Sequence, residues 1–398
     1  MFFKIIINAN ASTTQYEYDP AGNRTAGIDA LGNRRKYFYD SMSRIIREEN
    51  TLGNSRENKY DTRGLLTNNS GFDSLEYRYE YDSMGRTAQI TDPEGNSSVN
   101  QYAIGMLVET TDRNGSDTEY RYDEFGRTEA VIDHDDNAVS FSYDNAGRRT
   151  AVKNKNNQSR GYEYNERGLV KRIVNPSGAA TAYEYDANGN RTKKTDADGT
   201  VTSYEFDNLN RLAVIKVNGA EKARYAYGKN GEVTNITGEN TGITRTYDVA
   251  GRMSMESNSL TGRFLKFEYD MLGRKTKRTD HLGRITRYSY DSESRLTAVI
   301  SPENRTVSFA YDQAGRRIKR VNPNGTWCEY NYTFGRLQKL AHKKTGGEVF
   351  MSYSYSYDKE GNITGIVSSV NNGASNRGEK ILYSYDDTYR LVQALYLT

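Results

Sequence analysis

The chain is organised by the stretch Tyr79-Glu80-Tyr81-Asp82-Ser83-Met84-Gly85-Arg86, which reads Tyr-x-Tyr-Asp-x-x-Gly-Arg. Variants of this motif recur along almost all of the 398 residues. The step between them is 21 residues, with slips to 20 or 22, until it lengthens to 25 and then 28 near the end. A fixed period of this length indicates one repeated structural unit. The residue before the motif aspartate lies at Tyr18, Tyr39, Tyr60, Tyr81, Tyr102, Tyr122, Tyr143, Tyr164, Tyr185, Phe206, Tyr227, Tyr247, Tyr269, Tyr290, Tyr311, Tyr332, Tyr357 and Tyr385.

Each unit predicts two strands and two turns. Residues 119–122 alternate in polarity, which is typical of a half-buried strand. The first turn follows the motif tyrosine: Asp123 can accept a backbone hydrogen bond, and Gly126 can adopt positive φ. Residues 127–132 form the return strand, and residues 133–137 form the second turn. Turns about every ten residues leave no room for ordinary helices, so we expect an all-β chain of serial antiparallel hairpins.

Two strands in each unit amount to roughly 35 strands, and open sheets beyond about ten strands curl, split or flatten. We therefore expect the ribbon to coil into a spiral, forming a hollow shell or part of one. We divide the chain into a lead-in strand at 1–15, regular repeats at 16–335, and irregular terminal repeats at 336–398. The last segment contains a Ser/Asn/Gly-rich loop at 368–380.

Composition argues for a sheet packed by tyrosine. Hydrophobic residues make up 35% of the chain and its mean hydropathy is −0.88, so a conventional aliphatic core is not expected. Disordered chains are equally polar but poor in aromatic residues, whereas this one has 33 Tyr and 12 Phe. Tyrosine buries a ring while it keeps a hydroxyl for hydrogen bonding. The tyrosines are therefore expected to stack between hairpins, with a platform for sugar rings as the alternative.

Charge and hydropathy exclude several classes of partner. The 55 basic and 52 acidic side chains are interleaved and leave a net charge of +3, which argues against a nucleic-acid surface. No apolar run approaches the roughly 20 residues of a membrane-spanning helix. The run Phe2–Ile7 is short and contains Lys4, so we interpret it as a strand and identify no signal peptide. The single cysteine, Cys328, excludes an internal disulfide and a cysteine-based zinc site.

Candidate catalytic and metal residues have turn positions. Residues 133–136, Asp-His-Asp-Asp, lie in a second turn, and residues 196–199, Asp-Ala-Asp-Gly, lack the remaining ligands of a calcium loop. The three histidines, His134, His281 and His342, lie in or near second turns, and the sequence gives no support for placing one beside a nucleophile. We expect no enzymatic activity, no metal and no cofactor.

The motif residues are interpreted as structural. Several units lack the aspartate (Ala103, Asn165, Gly228 and Thr333 stand in its place), which favours a turn-forming role over a catalytic one. The arginine after the turn is expected to pair across strands with Glu or Asp of the motif, at about 0.2–1 kcal/mol per pair. These roles are assigned to Tyr18, Asp19, Tyr39, Asp40, Tyr81, Asp82, Gly85, Arg86, Tyr122, Asp123, Gly126, Arg127, Tyr143, Asp144, Gly147, Arg148, Tyr269, Asp270, Gly273, Arg274, Tyr311, Asp312, Gly315 and Arg316.

The motif and its period resemble the YD repeat, also called the RHS repeat, from about Tyr16 to Leu397. That family includes bacterial Rhs and wall-associated polymorphic toxins, the BC components of insecticidal toxin complexes, and animal teneurins. In these relatives the repeats form a spiralling β-sheet shell, which in the bacterial toxins encloses a variable C-terminal toxin domain. The resemblance implies a non-enzymatic scaffold, extracellular or at the cell surface, that encloses or presents a polypeptide cargo. Carbohydrate binding or cell contact is the alternative that it implies.

The resemblance has a departure near the C-terminus. Residues 357–363 and 385–391 resemble the repeats just upstream of the family's C-terminal core, whose Asp-Pro-x-Gly segment is tied to plugging and self-cleavage. Residues 19–22 fit those letters but lie in the first repeat turn, so no autoproteolysis is assigned to them. We expect a partial shell whose partner is a polypeptide cargo or a missing core and toxin domain, with cell-surface glycans as a further possibility. A truncated product without independent function is the third interpretation.

Overall fold

The computed structural model is built of β-strands joined by turns. It describes residues 2–9, 11–371, 376–386 and 388–397. Across these residues there are 37 strands and no helix. The expected all-β chain of serial hairpins is confirmed. None of the described segments provides a helix that would be long and apolar enough to cross a membrane.

The strands follow one another with short turns between them. They are β1 (Phe2–Ile7), β2 (Thr13–Tyr18), β3 (Arg24–Ile28), β4 (Arg34–Tyr39), β5 (Ile45–Glu49), β6 (Ser55–Tyr60), β7 (Leu66–Ser70), β8 (Glu76–Tyr81), β9 (Thr87–Thr91), β10 (Ser97–Ala103), β11 (Met106–Thr111), β12 (Asp117–Tyr122), β13 (Thr128–Ile132), β14 (Ala138–Tyr143), β15 (Arg149–Lys153), β16 (Ser159–Tyr164), β17 (Val170–Val174), β18 (Ala180–Tyr185), β19 (Arg191–Thr195), β20 (Val201–Phe206), β21 (Leu212–Val217), β22 (Ala220–Tyr227), β23 (Val233–Gly238), β24 (Thr241–Tyr247), β25 (Met253–Asn258), β26 (Arg263–Tyr269), β27 (Lys275–Asp280), β28 (Ile285–Tyr290), β29 (Leu296–Ile300), β30 (Thr306–Tyr311), β31 (Arg317–Val321), β32 (Trp327–Thr333), β33 (Arg336–Lys343), β34 (Val349–Tyr357), β35 (Ile363–Asn371), β36 (Asn376–Tyr385) and β37 (Leu391–Leu397).

The chain divides into two compact units. Unit 1 comprises Met1–Asp117, Glu268–Arg278 and Arg284–Thr398, and unit 2 comprises Thr118–Phe267 and Thr279–Gly283. The division by repeat regularity at residues 15 and 335 is of a different kind, and it stays a prediction.

Successive strands pair antiparallel in both units. In unit 2, for example, Tyr120 of β12 lies opposite Val131 of β13, which in turn lies opposite Val139 of β14. The register shifts by one residue between Arg121 and Tyr122, just before the first turn. The same shift precedes the motif tyrosine in most repeats, because the return strand carries one residue more than the strand with which it pairs.

The two faces of the sheet differ in chemistry. In unit 1, Tyr79 of β8 lies opposite Ile90 of β9, whereas Glu80, on the other face, lies opposite Gln89. We call the first the tyrosine face and the second the polar face. Only five apolar residues of the described chain are buried, namely Ala26, Ile132, Val214, Cys328 and Ala341. Most of the packing is therefore between half-buried side chains on neighbouring strands, as the composition predicts.

The strands lengthen near the C-terminus. The regular repeats have strands of mostly five or six residues, whereas β34 and β35 have nine and β36 has ten. The segment 368–380, which its composition predicts to be a loop, is largely strand: Ser368 pairs with Glu379 and Val370 with Arg377. Ile366 and Val370 lie on one face of β35 opposite Ile381 and Arg377 of β36, and the pairing continues despite the Ser and Asn around them. The middle of the predicted loop, 372–375, lies outside the described residues.

Candidate functional site: the motif turn and the unit 1 seam

The motif aspartate forms the first turn. Asp82 Oδ1 accepts hydrogen bonds from the backbone N–H of Met84 and of Arg86, each at 2.9 Å. Arg86 Nε donates to Asp82 Oδ2 at 2.6 Å, and Gly85 has a φ of 81°. The backbone N–H of Arg86 and then its guanidinium hold the pKa of Asp82 below its usual value, although burial acts the other way. Every polar atom of this aspartate is thus used to hold the turn.

The motif arginine joins one repeat to the next. The guanidinium carbon of Arg295 lies 4.9 Å from the ring centre of Tyr311, and Arg295 Nη1 donates to the carbonyl of Asp312 at 2.8 Å. The hydroxyl of Tyr311 donates back to the carbonyl of Leu296 at 2.7 Å. We call this set of contacts the Arg–Tyr clasp. Arginine also covers the tyrosine 16 residues later in the pairs Arg44–Tyr60, Arg86–Tyr102, Arg127–Tyr143, Arg148–Tyr164, Arg211–Tyr227, Arg274–Tyr290 and Arg316–Tyr332.

The clasp refines the expected role of the arginine. Its ion pair is with the motif aspartate, as expected, but the two residues flank one turn, as Arg295 and Asp291 do at 2.7 Å. The stacking on the next repeat's tyrosine was missed. The signal was present in the sequence as a constant spacing of 16 residues between Arg and Tyr. Its meaning depends on how the hairpins are laid side by side.

Cross-strand ion pairs do occur on the polar face. Glu163 pairs with Arg172 at 3.0 Å and Glu184 pairs with Lys193 at 2.9 Å, in each case on adjacent strands. Each of these side chains is two-fifths or more exposed, so each pair contributes little individually. Each pair places opposite charges on directly paired residues of neighbouring strands.

Unit 1 brings together edges that are far apart in sequence. Glu293, in a first turn, accepts hydrogen bonds from the backbone N–H of Thr51 at 2.7 Å and from its hydroxyl at 2.6 Å. The other carboxylate oxygen of Glu293 accepts from Arg35 at 2.5 Å. Thr51 lies in a second turn, so the second-turn edge of one length of ribbon contacts the first-turn edge of another.

The same contact repeats in step with the motif. Asp73 pairs with Arg316 at 3.0 Å, Glu94 with Arg336 at 3.2 Å, and Arg113 with Glu360 at 3.2 Å. The separations in sequence are 243, 242 and 247 residues, close to the 242 residues between Thr51 and Glu293. Further along, the hydroxyl of Tyr389 donates to Asp112. Burial and this hydrogen bond raise the pKa of Tyr389. We call these residues together the unit 1 seam.

The turns singled out as possible metal sites are held by protein atoms. Asp133 Oδ1 accepts from the backbone N–H of Asn137 at 2.8 Å, and the other oxygen binds Lys155. Asp196 pairs with Lys194 at 2.7 Å. Within the described segments, no group of three His, Cys, Asp or Glu side chains is arranged to hold a metal ion.

Cys328 and His342 are neighbours, a pairing that the sequence alone does not indicate. They lie directly opposite each other on β32 and β33, with Sγ 3.2 Å from Nδ1. Burial, and then the charge of Arg320, lower the pKa of His342. Only 3% of Cys328 is exposed, so a substrate would have no direct access to its sulfur.

The sequence matches the Teneurin YD-shell family over residues 3–158, 89–193, 138–293 and 239–397. These overlapping stretches cover nearly the whole chain. The chain belongs to the teneurin YD-shell family. The resemblance to YD repeats is thereby confirmed, and the chain is a YD-shell scaffold. Comparison with the curated proteins gives no match.

Solved structures of toxin complexes share this YD-shell fold. The crystal structure of TcdB2-TccC3-Cdc42 aligns with a TM-score of 0.80 at 14% identity, over 96% of this chain and 24% of the other. TcdB2-TccC3-TEV gives 0.77 at 13% identity, over 97% and 26%. The Photorhabdus luminescens Tc holotoxin pore gives 0.76 at 14% identity, over 96% and 26%. This chain therefore spans about a quarter of the length of the proteins it matches, and identity this low shows the fold alone.

Proposed function

We propose that this YD-shell chain is a non-enzymatic scaffold that forms part of an enclosure around a polypeptide cargo, such as a toxin domain. The feature that carries the proposal is the unit 1 seam. An enclosure requires that separate lengths of ribbon be joined along their turn edges, because a gap between those edges would let the cargo out. The seam joins two such edges by contacts that recur with the repeat.

The contacts between neighbouring repeats support the same proposal. The Arg–Tyr clasp uses both the ring face and the hydroxyl of the motif tyrosine, as at Tyr311, which leaves little of that side chain for stacking on a sugar. This favours a structural role over a glycan-binding one. The burial of the Cys328 thiol favours a scaffold over an enzyme.

The matched structures support a role for this chain within a larger assembly. The matched structures include a Tc holotoxin pore and complexes of TcdB2 with TccC3, which are assemblies of more than one component. We propose that this chain likewise acts with a further polypeptide, outside the cell or at its surface, as in the bacterial polymorphic toxins.

A protease-protection experiment tests the proposal. An unstructured reporter polypeptide is fused after Thr398, and its digestion by trypsin is compared in the parent and in Glu293→Lys/Glu360→Lys. The double variant places positive charges opposite Arg35 and Arg113 and should open the seam. We expect the reporter to persist longer in the parent. Digestion of the reporter in both fusions as fast as that of the free reporter would show that the chain encloses nothing.

A further inference from the structure

A cavity of about 560 Å³ lies in unit 1 on the tyrosine face of the lengthened strands β34 to β36. Its volume is within the range of about 300–1,000 Å³ that is typical of ligand sites. Tyr353 and Tyr355 of β34 form one wall, Ile366 of β35 forms part of the floor, and Arg377 and Glu379 of β36 form the opposite wall. The cavity exists because these strands are nine or ten residues long where regular strands have mostly five or six.

Four polar side chains that line this cavity lack a strong hydrogen-bond or ion-pair partner among the described residues. The hydroxyl of Tyr355 has no hydrogen bond to any described residue, and that of Tyr353 meets only the thioether sulfur of Met351, at 3.3 Å. The side chains of Arg377 and Glu379 form no ion pair with the described residues. The motif tyrosine of the same strand differs, because Tyr357 donates to the carbonyl of Leu337 at 2.6 Å.

The spacing of the two charges identifies a class of ligand. Arg377 and Glu379 are two residues apart on one strand, so their side chains leave the same face about 6.8 Å apart. Alternate side chains of an extended peptide have the same spacing. An acidic residue opposite Arg377 and a basic residue two positions later opposite Glu379 would satisfy both charges. The next alternate residue would lie against Ile366 and Ile381, which are paired across β35 and β36.

We propose that this cavity binds an extended polypeptide segment with the side-chain pattern acidic-x-basic-x-apolar. The proposal rests on the proposed function, since it names the segment through which a polypeptide partner would be held. The tyrosine hydroxyls supply hydrogen bonds to its backbone. A neutral sugar would use the tyrosines but would leave Arg377 and Glu379 unmatched.

Two blocked, fluorescent peptides test the charge pattern by fluorescence anisotropy with the full chain. The first is Asp-Gly-Lys-Gly-Leu and the second is Lys-Gly-Asp-Gly-Leu. We expect the first to bind about five- to tenfold more tightly, since two matched pairs replace two repulsive ones. The second can match the charges only by running the other way, which removes its leucine from the apolar surface of Ile366 and Ile381.

Exchanging the charges on the protein should invert this preference. The variant Arg377→Glu/Glu379→Arg is expected to favour the second peptide, and such an inversion itself shows that the variant is folded. Lys380→Glu is the matched control, because Lys380 lies on the opposite face of β36 and should leave the preference unchanged. Tyr355→Phe, which removes one hydroxyl, should weaken the first peptide about two- to threefold.

Three outcomes would overturn the proposal: no binding of either peptide, a preference that the charge exchange does not invert, or competition by a neutral oligosaccharide in place of peptide binding. The readout is separate from reporter protection. If the protein discriminates between the peptides but does not protect the reporter, the peptide site is supported and the proposed enclosure is wrong. If it protects the reporter but does not discriminate between the peptides, the enclosure is supported and the peptide site is wrong.

Discussion

Asp144 and Asn165 occupy the same place in successive first turns, and their comparison separates what the turn needs from what charge adds. Asp144 Oδ1 accepts from the backbone N–H of Ala146 and of Arg148, at 3.0 and 2.9 Å. Asn165 Oδ1 accepts from the two equivalent groups at 3.0 Å each. A neutral acceptor at this position therefore makes the same two backbone hydrogen bonds as a charged one. The charge adds an ion pair, from Arg148 Nε to Asp144 Oδ2 at 2.7 Å.

That ion pair predicts a pH dependence for Asp144→Asn. Hydrogen bonding to Arg148 lowers the pKa of Asp144 from its usual 3.8, so its carboxylate stabilises the fold above about pH 4, and this contribution is lost as pH falls through the folded pKa. We expect the variant to be less stable than the parent at neutral pH, with the difference shrinking in acid. Urea denaturation at a series of pH values measures it.

Asn165→Asp is the matched control for that series. Leu169 stands where Arg148 stands in the preceding repeat, so the new carboxylate lacks that ion pair and has only Arg167 nearby, whose guanidinium already donates to the carbonyls of Asp186 and Ala187. Its stability should change less between neutral and acid pH. A constant gap between Asp144→Asn and the parent across the series would contradict the assigned role of the charge.

Gly126 allows a test of backbone strain. Its φ of 75° lies in the left-handed region, as the sequence predicts, and a side chain there costs about 1–2 kcal/mol. Gly126→Ala should destabilise the turn by about 1 kcal/mol, and the loss should stay local because repeats contact mainly their neighbours. Hydrogen exchange of residues 119–132 measures it.

Gly161→Ala is the control for Gly126→Ala. Gly161 lies within β16 without positive φ, and an added Cβ would meet its nearest atom, Val174 Cβ, at an ordinary 3.8 Å. It should change hydrogen exchange little. Equal protection in the two variants would show that the turn tolerates a side chain.

At the scale of the element, the hairpins could be predicted from the sequence, but the contacts between neighbouring hairpins could not. The alternation around Tyr120 and the Asp and Gly of the turn are local signals, so they identify strands and turns directly. The loop predicted from composition at 368–380 is largely strand. Ile366 and Val370 lie on one face of β35 and favour a strand, although Ser and Asn surround them in the sequence. The Arg–Tyr clasp joins different hairpins, and its chemistry appears only when they lie side by side.

The clasp between Arg295 and Tyr311 should be measurable as a coupling energy. Arg295→Ala, Tyr311→Ala and the double variant form a cycle, in which we expect about 0.5–1 kcal/mol of interaction from the ring and guanidinium. Tyr311→Phe keeps the ring and removes the hydrogen bond to Leu296, at a cost of about 1 kcal/mol. Urea denaturation provides each value.

Glu119 and Arg121 provide the control pair for the cycle. They form an exposed ion pair at 2.8 Å, for which about 0.2–1 kcal/mol at most is expected, and less in high salt. The clasp should keep its coupling in high salt because Arg295 is only 19% exposed. Additive effects of Arg295→Ala and Tyr311→Ala would mean that the stacking contributes nothing.

At the scale of the whole molecule, the sequence predicted a coiled ribbon but could not say which of its turns would meet. The seam joins Thr51 to Glu293 across 242 residues, and nothing local to either residue marks the contact. The register depends on how far the sheet turns with each repeat. Small differences in strand twist add over many strands, so the partner of a given turn is fixed only by the complete structure.

The seam predicts a specific cross-link. The hydroxyl oxygens of Thr51 and Ser292 lie 2.9 Å apart, so Thr51→Cys/Ser292→Cys should oxidise spontaneously to a disulfide that closes a loop of more than 200 residues. Such a bond should stabilise unit 1 by about 2–4 kcal/mol, seen as a higher urea midpoint that a reductant removes. Thr51→Cys/Ala314→Cys is the control, since Ala314 lies one repeat further along the same edge. Cys328 is 3% exposed and should not compete. Equal cross-linking in both variants, or none in the first, would mean that Thr51 and Ser292 are not in contact. The enclosure proposed for this chain depends on that contact and would then be wrong.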